Sequence, residues 1–141
     1  MAVTSEATTV WNGDLKSGSG TVTFDSSHAG EFPVSWKARS EGSSSVTTPE
    51  ELLGAAHSAC FSMAFSNVLA GFGTPPTSVQ ATAAVTFDPA QGVTGSHLLV
   101  HANVPGLSEA DFQRLAEEAK ATCPVSRALV GIPITLEARL A

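Results

Sequence analysis

Apolar and polar positions alternate with period two in Thr21-Val22-Thr23-Phe24 and again from Pro33 to Arg39, between Gly18, Gly20, Gly30 and Gly42. This pattern predicts short strands and turns. The stretch from Ser40 to Val46 is polar and rich in Gly and Ser, and predicts a flexible loop. Thr48-Pro49-Glu50-Glu51 then reads as a helix start, with Thr48 as the cap, Pro49 at the first helical position and Glu51 completing a capping box. The helix should run to about Ala70, where Gly71 or Gly73 and then Pro75-Pro76 stop it. Leu52, Leu53, Ala56, Ala59, Cys60, Met63, Ala64, Val68 and Leu69 occupy most of its circumference, which predicts burial nearly all round.

Beyond that helix, Val79, Ala81, Ala83, Val85 and Phe87 alternate, Asp88 to Gly95 turns, and Leu98, Val100, Ala102 and Val104 alternate again, an antiparallel hairpin. Ser108-Glu109-Ala110-Asp111 opens an amphipathic helix using Phe112, Leu115, Ala116 and Ala119 and reaching about Thr122. Cys123-Pro124 interrupts it, because the residue before proline is pushed out of helical geometry. A short helix begins at Pro124 and ends near Gly131, before a closing strand with Ile134, Leu136, Ala138 and Leu140. The order predicts an α+β protein with mostly antiparallel pairing and helices on one sheet face.

The chain of 141 residues, 43% apolar and 14% charged, fits one domain over 1–141 and buries enough surface to fold. A net charge of −6, with seven Lys and Arg and no basic run, excludes nucleic acid as a partner. No uninterrupted apolar stretch reaches the roughly 18 residues of a membrane span, and Met1-Ala2-Val3-Thr4-Ser5-Glu6 lacks a signal-peptide layout. The expectation is a soluble, cytoplasmic protein with no membrane partner. In a reducing cytoplasm Cys60 and Cys123 would be thiols rather than a permanent staple. They lie 63 residues apart, so only the fold can bring them together.

Cys60 sits in the third turn of its helix, beyond reach of the positive N-terminal end. Ionising it near pH 7 needs about 4 kcal/mol, which one buried guanidinium at about 4 Å supplies at an effective dielectric near 20. Arg39, Arg114, Arg127 and Arg139 are the candidates; the alternative is a small buried hydrophobe. Cys123 falls at the cap of the short helix, where unpaired N–H groups favour thiolate and suit a resolving cysteine, or else it is a buried thiol at a chance helix break. His57, one turn before Cys60, reads foremost as a satisfied core histidine. A base, a hydrogen-bond donor to the site and a zinc ligand are the other readings, and three candidate ligands without local pairs argue against zinc. His28, His97 and His101 read as solvated. There is no phosphate loop and no nucleophile elbow.

The run from Pro49 to Met63, Pro-Glu-Glu-Leu-Leu-Gly-Ala-Ala-His-Ser-Ala-Cys-Phe-Ser-Met, closely resembles the signature helix of the OsmC family of hydroperoxide reductases. Cys123-Pro124-Val125-Ser126 resembles the family's second cysteine motif, and Ala38-Arg39-Ser40-Glu41-Gly42 its arginine segment, in family order. Gly54-Ala55-Ala56-His57 resembles the OsmC branch rather than the Ohr branch, and Ser40 departs from the aromatic residue expected there. The resemblance implies that Cys60 attacks a peroxide, that Cys123 resolves the sulfenic acid to a disulfide, and that Arg39 and Glu50 organise the site. It further implies antiparallel sheets wrapped around two central helices in an intertwined homodimer, with no bound cofactor. A lipoylated protein or another external dithiol would act as reductant.

Glu50 and Cys60 are ten residues apart on one predicted helix, or about 15 Å along its axis. An Arg39 serving both would therefore join a Glu50 and a Cys60 of different chains. Apolar side chains such as Phe61, Met63 and Phe65 would suit an organic hydroperoxide over hydrogen peroxide. The competing functions are a non-catalytic redox sensor or small-apolar-ligand binding module using the same pocket, and a Cys60–His57 hydrolase, which has no use for Cys123.

Overall fold

The computed structural model describes residues 1–141, and the chain divides into two compact units, Met1–Leu52 and Leu53–Ala141. In the first, strands β1 (Ala7–Asn12), β2 (Ser19–Phe24) and β3 (Glu31–Val34) form an antiparallel sheet in that order. Trp11 faces Gly20 across the β1–β2 pair, and a Cβ on Gly20 would meet the indole at 2.9 Å, so only glycine admits the ring.

The alternation from Pro33 to Arg39 is not a strand. It ends at Val34, and Trp36–Glu41 forms helix α1. Ser35 is extended and its hydroxyl accepts the Ala38 N–H at 3.2 Å, while Gly42, at φ +85°, closes the other end on the Ala38 carbonyl. A helix of six residues is too short to display its own period, and local capping outweighs the alternation. An isolated bridge from Val34 to Thr47 then delivers the chain to helix α2 (Pro49–Gly71). Thr48 accepts the Glu51 N–H at 3.1 Å, as expected, but the Glu51 carboxylate accepts from the Thr47 hydroxyl, leaving half a capping box.

The second unit holds α2 from Leu53 onward. It also holds the hairpin β4 (Ser78–Asp88) and β5 (Gly92–Asn103), helices α3 (Glu109–Thr122) and α4 (Pro124–Ala128), and strand β6 (Ile134–Leu140). The sheet order is β4-β5-β6; the hairpin is antiparallel, with a bulge at Thr86/Phe87, and β6 joins β5 in parallel. The protein is α+β, as the element order predicts. The parallel pair qualifies the antiparallel sheets expected, because α3 and α4 intervene and carry the chain back to the starting end.

Leu98, Val100 and Ala102 of β5, Phe112, Leu115, Ala116 and Ala119 of α3, and Phe61, Phe65 and Leu69 of α2 form one core. Ring centroids lie 5.6 Å apart for Phe61 and Phe65 and 5.5 Å for Phe65 and Phe112, in tilted and edge-on geometry. Phe61 and Phe65 are therefore core residues rather than the pocket wall expected of them. Nor is α2 covered all round. Gly54, His57, Phe61, Phe65 and Leu69 are buried, whereas Ala55, Ala56 and Ala59 are exposed and Met63 is 73% exposed. The best 18-residue window of α2 has mean hydropathy 1.3, enough by length and composition to cross a membrane, although no uninterrupted apolar run does so. Its buried face, however, belongs to the core just described.

Candidate active site

Two pairs of side chains anticipated from the sequence meet, each pair inside one unit. In the first unit, Arg39 in the last turn of α1 grips Glu50 in the first turn of α2. Its Nη2 donates to Oε1 at 2.8 Å, and its Nε donates to Oε1 at 3.1 Å and Oε2 at 3.3 Å. Glu50 is buried while the Arg39 side chain keeps 32% of its exposure. A carboxylate at a helix N-terminus is favoured by the unpaired N–H groups there, and this geometry fixes the plane of the guanidinium. Arg39 also borders a cavity of about 330 Å³ whose wall is otherwise chiefly apolar, including Trp11, Leu15, Val34, Trp36 and Leu52.

In the second unit the Cys60 and Cys123 thiols are neighbours, each acting on the acidity of the other. Cys60 lies half-buried on α2, and Cys123 is completely buried at the cap of α4, where Pro124 takes the first helical position as expected. Both are free thiols. Burial raises the Cys60 thiol pKa, and Cys123 adds to the rise, while the Val125 N–H opposes it. This direction is opposite to the ionised Cys60 that the sequence reading expects of a neighbouring guanidinium. The groups acting on it are all in residues 53–141 and none is a cation. For Cys123, burial also raises the pKa, but the Ser126 N–H and hydroxyl, the Cys60 thiol and the Val125 N–H outweigh it and lower it. Sulfur Sγ of Cys123 is thus the better prepared of the two to carry negative charge within this unit.

His57 is the satisfied core histidine favoured from the sequence. Nδ1 lies 2.7 Å from the Ser96 hydroxyl and Nε2 lies 2.8 Å from the Ser126 hydroxyl. Burial lowers its pKa, so the ring is neutral near pH 7, with one nitrogen donating and the other accepting. Ser96 and Ser126 were not singled out in the sequence. Ser126 carried a signal, standing three residues after Cys123; Ser96, 39 residues from His57, carried none. His28 and His97 are exposed, as expected, and His101 is partly covered. No cluster of three His, Cys, Asp or Glu side chains is arranged to hold a metal ion.

The family model for OsmC-like proteins matches residues 42–137. Peroxiredoxin OsmC of Escherichia coli (strain K12) is 42% identical over 133 residues, covering 92% of each chain. An organic hydroperoxide resistance protein from Elizabethkingia anophelis superposes with a TM-score of 0.69 at 28% identity, over 100% of this chain and 97% of its own. OhrB of Bacillus subtilis, another organic hydroperoxide resistance protein, shares the fold with a TM-score of 0.63 at 22% identity, over 96% of this chain and 98% of its own. This α+β frame and the identity to peroxiredoxin relatives make the chain an oxidoreductase of the peroxidase type. The chain belongs to the OsmC family.

Proposed function

We propose that the chain reduces organic hydroperoxides, and hydrogen peroxide more weakly, through a Cys60 sulfenic acid that Cys123 resolves to a disulfide. The neighbouring positions of the Cys60 and Cys123 thiols carry this reading, because a sulfenic acid on one is within the surroundings of the other. The Cys60 thiolate attacks one peroxide oxygen, the O–O bond breaks, and the other oxygen leaves with a proton as alcohol. Attack by Cys123 on the Cys60 sulfenic acid then expels water and leaves the disulfide. An external dithiol of the lipoyl type restores both thiols by disulfide exchange, and no bound cofactor is required. A reducing cytoplasm is the compartment that suits this cycle.

A thiolate attacks, yet burial holds the Cys60 thiol up, so the reading needs a cation. We assign that cation to Arg39 of the partner subunit in a homodimer. The uncovered face of α2, with Ala55, Ala59 and the 73%-exposed Met63, suits a second copy, since its small side chains permit close approach. Glu50 holds the guanidinium in a fixed plane, so that it can meet a thiolate without first reorganising. The apolar cavity beside Arg39 suits the organic group of a hydroperoxide. Both units serve one OsmC-like domain on this reading.

The test is catalytic consumption of cumene hydroperoxide with dihydrolipoamide as reductant. Wild-type protein should turn over repeatedly and Cys60→Ser should not. Stoichiometric thiol oxidation without turnover would instead make the protein a redox sensor.

A further inference from the structure

Glu50, His57, Ser96 and Ser126 are the buried polar or charged residues, and the last three form a single hydrogen-bonded row. Burying an imidazole and two hydroxyls is costly unless each finds partners, and here every buried side-chain polar atom has one. Packing alone would be served as well by apolar side chains of the same shape. Ser126 lies in the first turn of α4, the helix that Cys123 caps, and its hydroxyl acts on the Cys123 thiol to lower its pKa. The row therefore runs from Ser96 on β5, through His57 on α2, to Ser126 on α4, in the turn that begins at Cys123.

We propose that His57, acting through Ser126, receives the proton that Cys123 gives up as it closes the disulfide, which makes His57 a positioning residue and Ser126 the group touching the reacting sulfur. The inference rests on the two-cysteine cycle above. The relay uses the tautomer in which Nδ1–H donates to Ser96, 2.7 Å away, and the Nε2 lone pair faces the Ser126 hydroxyl, 2.8 Å away. Ser126 passes its proton to Nε2 as it takes the proton of the Cys123 thiol. The freed electron pair on Cys123 attacks the sulfur of the Cys60 sulfenic acid, the S–O bond breaks towards oxygen, and the departing hydroxide takes the proton held at His57. One S–S bond and one water result, the Cys60 sulfur being reduced as the Cys123 sulfur is oxidised. Burial keeps the ring unprotonated beforehand and drives it to release the proton afterwards.

The experiment is a single turnover of the reduced, full-length protein with one equivalent of cumene hydroperoxide. Sulfenic acid is trapped with dimedone, and disulfide is followed by intact mass. In Ser126→Ala and His57→Gln the rate of closure relative to the peroxide step should fall about a hundredfold, the lower end of the range for a lost proton-transfer partner. Ser126→Thr, which keeps the hydroxyl, should restore it, and the solvent deuterium effect on closure should vanish in Ser126→Ala. An unchanged ratio in Ser126→Ala, or a failure of Ser126→Thr to restore it, overturns the role of His57 whether or not His57→Gln folds. Wild-type protein that forms neither sulfenic acid nor disulfide removes the two-cysteine cycle itself, a distinguishable result.

Discussion

The thiols of Cys60 and Cys123 are neighbours, yet their surroundings drive their acidities apart, burial raising Cys60 while the Ser126 and Val125 groups lower Cys123. On the proposed cycle, the resolving sulfur thus has its stabilisation inside its own unit, and the attacking sulfur depends on a charge brought to it. Arg39→Ala, made in a Cys123→Ser background so that one thiol titrates, should raise the Cys60 pKa by about one pH unit or more, which is about 1.4 kcal/mol of lost interaction. Ultraviolet thiolate absorbance measures this. An unchanged titration curve refutes the assignment of Arg39 as the activating cation.

Gly54 marks where β4 lies closest to α2, since a Cβ there would sit 2.7 Å from the carbonyl oxygen of Ala83. In an open helix, Gly→Ala gains about 1 kcal/mol of helix propensity. Here the obstacle is backbone, which cannot rotate away, and overpacking costs about 1–3 kcal/mol. Gly54→Ala should therefore lower the urea midpoint. A raised midpoint would mean that the strand gives way freely.

Much of this frame is legible in local chemistry. The Thr48 cap, the Cys123-Pro124 break and the face of Phe112, Leu115, Ala116 and Ala119 each need only neighbouring residues to be read, and each stands where expected. What escapes reading depends on distant partners. Helix α1 spans too few residues to show its own period, and the parallel seat of β6 follows from where α3 and α4 return the chain. The apolar residues of α2 predict burial nearly all round. They do not reveal that Phe61 packs on Phe65 and Phe65 on Phe112 within the chain while Met63 stays largely exposed. The serines around His57 are invisible for the same reason, because one serine resembles another until the fold selects it.

His57 makes stability depend on pH. Burial lowers its folded pKa below the unfolded value near 6.5, so the unfolded chain binds more protons in that interval and stability rises with pH. Stability is fully present above about pH 7 and falls as pH drops below about 6.5, at up to about 1.4 kcal/mol per pH unit from this one group. Urea unfolding of wild type and His57→Gln between about pH 7 and pH 5 should show that component only in the wild type. Parallel pH dependences for the two proteins would contradict it.

Met63 projects from α2 with 73% of its surface exposed, between exposed Ala59 and Asn67 one turn to either side. If this face packs against a second copy, a carboxylate placed there is stripped of water with no cation to pair it, and association weakens by about a hundredfold or more. The fold of each chain should persist, because Met63 takes no part in the core formed by Phe61, Phe65 and Phe112. Met63→Asp should therefore sediment as a monomer with an unchanged circular dichroism spectrum. It should also lose peroxidase turnover, since the Cys60 thiol would no longer meet the partner's Arg39. A monomeric Met63→Asp that kept wild-type turnover would show that one chain contains the whole active site, and the cation for Cys60 would then have to come from its own subunit.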